Sequence, residues 1–251
     1  MKEIQSVLKE MVEKKCYDIP DFVWNLLELK NINGSTLNVY YEFLRDNLNT
    51  LEGDIVEFGV FRGASLFSTA ILLKSFDSDK KVYGFDSFSG FPPPHRNDDK
   101  IKFESLYNNG EISKEHYKWV MFKIACEKLS PREHSFDNTT LDHVKRRIEL
   151  FELDNIVLVP GELTKNLDKL PERIIATLYD CDLYSPYADT LPAIYERTVS
   201  GGLLYFDEYY SLKYPGPRIA VDEFCKKTKC FPTKSHFHSR GGFERWYLRK
   251  H

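Results

Sequence analysis

Two short apolar runs in the second half of the chain end in acids. Residues 174–182 (IIATLYDCD) close on Asp180-Cys181-Asp182, and residues 203–207 (LLYFD) lead straight into Glu208. Carboxylates at the ends of two neighbouring strands would crowd together and repel one another unless a cation neutralised them. Hard oxygen ligands without a nearby Cys–His set suit Mg2+, with Mn2+ or Ca2+ as alternatives. A divalent cation at such a place acts as a Lewis acid and lowers the pKa of a hydroxyl beside it. The same acids would also serve as helix caps or as acceptors for backbone N–H groups.

A second chemical signal lies upstream. Residues 57–65 (EFGVFRGAS) put Glu57, Gly59 and Gly63 between an apolar run and a helical pattern. Glycines there let a ligand approach the backbone, and the following helix N-terminus offers amide donors. A further apolar run ends in Asp86, 23 residues beyond Gly63. An acid at that place accepts hydrogen bonds from ribose hydroxyls. The spacing is not that of a dinucleotide site. Gly59-x-x-x-Gly63 lacks the G-x-G-x-x-G pattern, and Phe61 stands where a pyrophosphate needs close backbone contact. A nicotinamide oxidoreductase is therefore disfavoured. Both glycines also suit a plain, tight strand-to-helix turn.

The elements that must carry these groups follow from the hydrophobic pattern. The first fifty residues read as helical, with an amphipathic stretch over 1–15 and Val39, Phe43 and Leu44 near one face of 38–49. Strands are expected over 54–60, 81–86, 155–160, 174–182 and 203–207, with helices over 65–76, 141–151, 186–198 and 218–227 between and after them. Near-continuous apolar strands alternating with helices call for a parallel sheet covered on both faces. Residues 243–249 (FERWYLR) read as a late strand, an antiparallel edge. The odd segment is 88–138, which carries Pro92-Pro93-Pro94 and polar runs together with Trp119, Phe122 and Ile124. Excursions of that length are usually lids or substrate-binding inserts.

Composition bounds the function classes. A chain of 251 residues with 42% hydrophobic and 29% charged residues can bury a sizeable core and is not disordered. Its net charge of −3 supplies no bulk basic field, so nucleic acid is not an expected partner. No run approaches the roughly 18 apolar residues of a spanning helix, which argues against membrane insertion. The first fifteen residues are too charged for a secretory signal. Five scattered cysteines (Cys16, Cys126, Cys181, Cys225, Cys230) without a CxxC fit reduced thiols in a cytoplasmic protein.

Taken in order, GDIVEFGVFRGAS, YGFDSFSGFPPP, TLYDCDLYSPYADTLPAIYERTVSGGLLYFDEYY and PRIAVDEF resemble the macrocin O-methyltransferase family, over roughly residues 53–224. These are S-adenosylmethionine-dependent, metal-assisted enzymes that methylate sugar hydroxyls in antibiotics and glycans. The resemblance implies an α/β class I methyltransferase (Rossmann-like) fold: a doubly wound, mostly parallel seven-stranded sheet. An N-terminal helical cap over 1–50 would precede the methyltransferase domain over 51–251, with 88–138 as its lid or substrate insert.

The resemblance also implies roles. The methionine part of the cofactor falls to Glu57, Gly59 and Gly63, the ribose to Asp86 with Ser87, and the adenine to the loop of Gly161, Glu162 and Leu163. That loop is otherwise an ordinary strand-to-helix connection. The metal ligands map to Asp180, Asp207 and Glu208, with Asp182 as an alternative to Asp180. The family usually shows Asp-Asp where this chain has Asp207-Glu208, a departure that bears on the metal. His134 stands at about the place of a catalytic histidine, with His143 as the next candidate base. Tyr184, Tyr187, Tyr209 and Tyr210 line the acceptor site or simply pack.

The expected activity is methyl transfer from S-adenosyl-L-methionine, with Mg2+, to a hydroxyl of a sugar or sugar conjugate. A nucleotide sugar, a surface-polysaccharide precursor and an antibiotic glycoside all fit. The rivals are a metal-independent methyltransferase of a non-sugar oxygen and a catalytically inactive cofactor-binding subunit. The sequence leaves a homo-oligomer open.

Overall fold

A computed structural model describes residues 37–129, 136, 139–235 and 244–251. Seven strands form one sheet: β1 (Asp54–Phe58), β2 (Val82–Asp86), β3 (Ile156–Pro160), β4 (Ile174–Tyr179), β5 (Thr198–Phe206), β6 (Thr233–Lys234) and β7 (Trp246–Arg249), in the order β3-β2-β1-β4-β5-β7-β6. The strands from β3 to β5 are mutually parallel; β7 runs antiparallel to both β5 and β6. The late strand is thus antiparallel as expected, but it is not the edge. Two residues of β6 cover it.

The faces are covered by helices α1 (Asn38–Asn47), α2 (Ala64–Ser75), α5 (Leu141–Leu150), α6 (Tyr184–Arg197) and α7 (Gly216–Thr228). Alternation along β5 shows how the two cores are fed. Leu203 and Tyr205 join the core under α1, α2 and α5, whereas Leu204 and Phe206 join the core under α6 and α7. Strand β4 is buried at all six positions, which explains its unbroken apolar run. Within 1–50, the described helix α1 is part of this packing, with Tyr40 and Leu44 fully buried in the first core.

Several boundaries differ from the expected ones for physical reasons. The first strand stops at Phe58 because Gly59 turns the backbone to φ +89°. The fourth stops at Tyr179, and Asp182 adopts φ +61°. The fifth begins at Thr198, earlier than its apolar run, because it follows α6 directly.

The segment after β2 contains helices α3 (Lys102–Asn108) and α4 (Lys114–Leu129). Phe103, Leu106, Ile112 and Val120 make a small core there, against which Leu212 and Ile219 pack. Its polar runs therefore sit on the outside of a folded unit. This unit is fastened to the start of α6: Asp98, buried, accepts the N–H groups of Tyr184 (2.8 Å) and of its own neighbour His95 (2.8 Å).

Candidate active site

A row of aromatic rings crosses the sheet at its C-terminal edge. Phe85, Phe58, Tyr179 and Phe206 are register partners on β2, β1, β4 and β5. Their ring centroids lie 5.2, 5.2 and 5.7 Å apart in succession. All four are buried, and packing of this kind contributes about 0.5–1.5 kcal/mol per pair beyond burial. The residue after each ring is Asp86, Gly59, Asp180 or Asp207. Gly59, Asp180 and Asp207 still donate their N–H groups to Phe85, Phe58 and Tyr179 carbonyls at 2.9–3.0 Å. The aromatic row thus fixes the backbone while the next side chains emerge together. The sheet order reverses between β1 and β4, and parallel sheets bind ligands at such a switch point.

These residues open onto a cavity of about 1090 Å3. It collects Gly59, Asp86, Ser87, Gly161, Glu162, Asp180, Asp207 and Glu208 from the expected site. Glu57 and Gly63 stand behind its wall. Glu57 is fully buried, and its Oε1 accepts the Ser65 hydroxyl at 2.7 Å, Ser65 itself lining the cavity. Burial raises the Glu57 carboxyl well above the usual carboxylate range. Its Oε2 has no hydrogen-bond partner among the described residues, which fits a site whose ligand completes the polar pairing.

The glycines have packing reasons of their own. A Cβ on Gly59 would lie 1.7 Å from the Asp180 carbonyl oxygen, and one on Gly63 would meet the Phe67 ring at 2.6 Å. Phe61 (φ 47°), Phe88 (φ 51°) and Asp182 (φ 61°) are non-glycine residues in the left-handed region around this cavity. Strain of about 1–3 kcal/mol each persists only where the surroundings over-determine it.

Asp86 does two jobs. Its Oδ2 accepts the N–H groups of Val60 and Phe61, both at 2.8 Å, and its Oδ1 accepts that of Phe88 at 2.7 Å. A carboxylate offers about four acceptor positions, so Asp86 clamps the glycine turn with capacity left for a hydroxyl. Ser87 donates its hydroxyl to the Gly90 carbonyl at 2.7 Å. Glu162 is exposed and engaged with Lys165 (2.6 Å) and the Thr164 hydroxyl (2.9 Å).

On the other side, ligand oxygens of Asp180, Asp207 and Glu208 lie within 4.8 Å of one another. Burial and the neighbouring Asp207 push the Asp180 carboxyl up to about 8. Burial, followed by Asp180 and Asp182, raises Glu208 well above the carboxylate range. Crowded acids that hold protons in this way fit a divalent cation chemically: hard donors, spare negative charge and room beside the cavity.

Two partners escaped the sequence reading. Tyr187, fully buried, donates to Glu208 Oε2 at 2.5 Å. Arg245 reaches Asp207 Oδ1 at 3.2 Å and its carbonyl at 3.0 Å. The β5–β7 register pairs Phe206 with Trp246, so Asp207 and Arg245 face each other one step further out. Only that pairing reveals Arg245.

Tyr210 lines the cavity and stacks on His116 at 3.9 Å; Tyr184 and Tyr209 bond instead to Glu223 and Asp222. His134 lies outside the described residues. His143 is described, on α5, and does not line the cavity. Among the described lining residues there is no histidine. Asp182 does line it, and burial raises its carboxyl to about 6.

The macrocin-O-methyltransferase (TylF) profile matches residues 15–123 and 126–235. The chain belongs to the macrocin-O-methyltransferase family. As a family member it is an S-adenosylmethionine-dependent O-methyltransferase with the class I fold. It is 27% identical over 224 residues to mycinamicin III 3''-O-methyltransferase of Micromonospora griseorubida, covering 88% of this chain and 77% of that protein. It is also 27% identical over 183 residues to demethyldecarbamoylnovobiocin O-methyltransferase of Streptomyces niveus, covering 71% of this chain and 60% of the relative. Among solved structures, the O-methyltransferase NovP superposes with a TM-score of 0.63 at 22% identity, over 88% of this chain and 78% of that one. The calicheamicin methyltransferase CalS11 gives 0.62 at 20% identity, over 98% and 90%. No helix among the described residues is long and apolar enough to cross a membrane.

Proposed function

We propose that this methyltransferase acts on a hydroxyl of a sugar or sugar conjugate, with a divalent cation, Mg2+ first, held by Asp180, Asp207 and Glu208. The observation that carries the reading is the convergence of those three carboxylates beside the Gly59 turn at the sheet's switch point. The relatives add support for the acceptor: one is named for mycinamicin III and another for a rhamnosyl tetracenomycin.

When bound, S-adenosyl-L-methionine supplies an electrophilic methyl on a sulfonium, and a cation at the acidic trio supplies Lewis acidity toward the acceptor hydroxyl. Gly59, Asp86 and the Gly161 loop hold the cofactor half of the cavity, with Glu57 behind them anchoring Ser65, and the acids hold the acceptor half. Aligning the two in one enclosure replaces an encounter by a positioned displacement. Asp182 takes the hydroxyl proton. A carboxyl near 6 is largely ionised at neutral pH yet basic enough to accept a proton as the methyl is transferred. His134 is the other candidate for that proton.

A metal-free reading draws on Arg245, which already offsets one of the three acids. Chelation separates the two. Turnover on a sugar acceptor should stop in excess chelator and return with Mg2+; undiminished turnover would establish the metal-free route. Cofactor binding is tested independently by calorimetry with S-adenosylhomocysteine. Asp86→Asn should weaken it by about 1–3 kcal/mol, through lost charge-assisted bonds and a loosened turn. The free thiols of Cys126, Cys181, Cys225 and Cys230 support a cytoplasmic enzyme under this reading.

A further inference from the structure

We propose that Lys213, with Lys123 beside it, forms a phosphate subsite in the acceptor half of the cavity, so that the sugar arrives as a phosphate ester. This deepens the sugar methyltransferase reading and rests on it.

Lys213 follows β5 on the loop that also carries Asp207, Glu208 and Tyr210. The loop is held in shape there: Ser211 Oγ accepts the N–H groups of Lys213 (3.1 Å) and Tyr214 (2.9 Å). His116 ties the Ser211 carbonyl to α4 at 2.7 Å. The Lys213 ammonium lies 5.0 Å from the Tyr214 ring centre and 5.6 Å from that of Phe136. These aromatic contacts position a half-buried cation, yet no carboxylate bonds it among the described residues.

Positive charge is in surplus at this end. Lys213, Lys123 and Lys100 are near enough to affect one another, and one carboxylate, Glu127, serves the last two: it bonds Lys100 and stands 3.8 Å from Lys123. Burial, together with the charges of Lys123 and Lys100, lowers the Lys213 pKa; Asp182 and Glu127 oppose that shift. Across the cavity, Arg245 pairs with Asp207. A neutral acceptor makes no ion pair with Lys213 or Lys123, whereas a phosphoryl group meets them with several acceptor oxygens. Beside them Phe91 packs against Phe136 (4.9 Å) and Tyr214 (6.0 Å), an apolar wall on which a sugar or base ring can rest.

The shared chemistry is the phosphoryl group; a nucleoside diphosphate sugar and a hexose 1-phosphate are its two sources. Calorimetry on the full chain, saturated with S-adenosylhomocysteine and held in chelator so that no divalent ion bridges the phosphate, would use uridine diphosphate, glucose 1-phosphate and methyl glucoside as probes. The phosphorylated probes should bind and the neutral glycoside should not, with affinity falling as salt is raised. Tighter binding of uridine diphosphate than of glucose 1-phosphate identifies the nucleotide source; equal binding identifies the simple ester.

Lys213→Gln should weaken the phosphorylated probes by about tenfold or more, and Lys213→Arg should restore most of the loss. Affinity for S-adenosylhomocysteine should stay unchanged in both, which also reports folding. Absent binding of both phosphorylated probes, or binding indifferent to Lys213→Gln, would overturn the proposal while leaving the methyltransferase reading intact. Failure of S-adenosylhomocysteine itself to bind would bring down both.

Discussion

The Tyr187 hydroxyl stands 2.5 Å from Glu208 Oε2, at the bottom of the acidic trio and out of reach of solvent. Glu208 is one methylene longer than an aspartate, and the tyrosine on α6 holds the longer arm in place. The same hydroxyl lies 3.1 Å from the Tyr179 carbonyl, so it links the acidic trio to the aromatic row beneath. Tyr187→Phe removes this hold while keeping the ring. It should reduce Mg2+ affinity by about 10–100-fold, the usual effect of losing a partner behind a ligand. Calorimetric titration with Mg2+ checks it, and unchanged affinity would show that Glu208 does not ligate.

Protons and metal should compete for the trio. In the metal-free chain burial and Asp207 push Asp180 up to about 8, far above its ordinary 3.8. A carboxyl raised on folding binds more protons in the folded state than in the unfolded one. Stability therefore falls as pH rises from about 4 toward 8. Mg2+ requires the ionised acids, so its affinity should climb over the same interval and flatten above 8. Thermal melts with and without Mg2+ across this range should diverge with increasing pH, and proton release on binding should appear in buffers of different ionisation enthalpy.

The proton acceptor can be assigned by two variants. Asp182→Asn keeps the shape and removes the carboxylate; it should lower kcat by about 10²–10⁴ with S-adenosylhomocysteine affinity intact. His134→Ala is the parallel test. Wild-type kcat in either variant removes that residue from the role.

Glycines at positive φ should differ in their tolerance of a side chain, with Gly59 in the turn after β1 sensitive and Gly110 after α3 tolerant. Gly59→Ala drives a Cβ to 1.7 Å from a backbone oxygen and forces an L side chain to φ +89°. It should cost more than about 3 kcal/mol, or prevent folding. Gly110→Ala at φ +73° meets nothing within 4 Å and should cost only about 1–2 kcal/mol. Urea denaturation of the two proteins measures the contrast.

Much of this architecture is legible in the residues themselves. An apolar run such as IIATLY satisfies its pattern as a strand buried on both faces, and a strand end followed by an acid places that acid at the sheet's binding edge. Hence local sequence alone put Asp86, Asp180 and Asp207 at the strand ends, where they line the cavity. The ordered motifs added the cofactor and the reaction type. What the sequence could not decide is which distant side chains meet those acids. Arg245 opposes Asp207 because β7 pairs antiparallel with β5 in one register, and a shift of one residue would turn it to the other face. Tyr187 reaches Glu208 across 21 positions because α6 packs on the strand that precedes it. Lys213 gains its surroundings from Phe136 and from α4, more than seventy residues earlier in the chain. Local patterns fix where a group emerges; its charge partners, and so its pKa and its chemistry, come from contacts between distant segments that only the folded chain brings together.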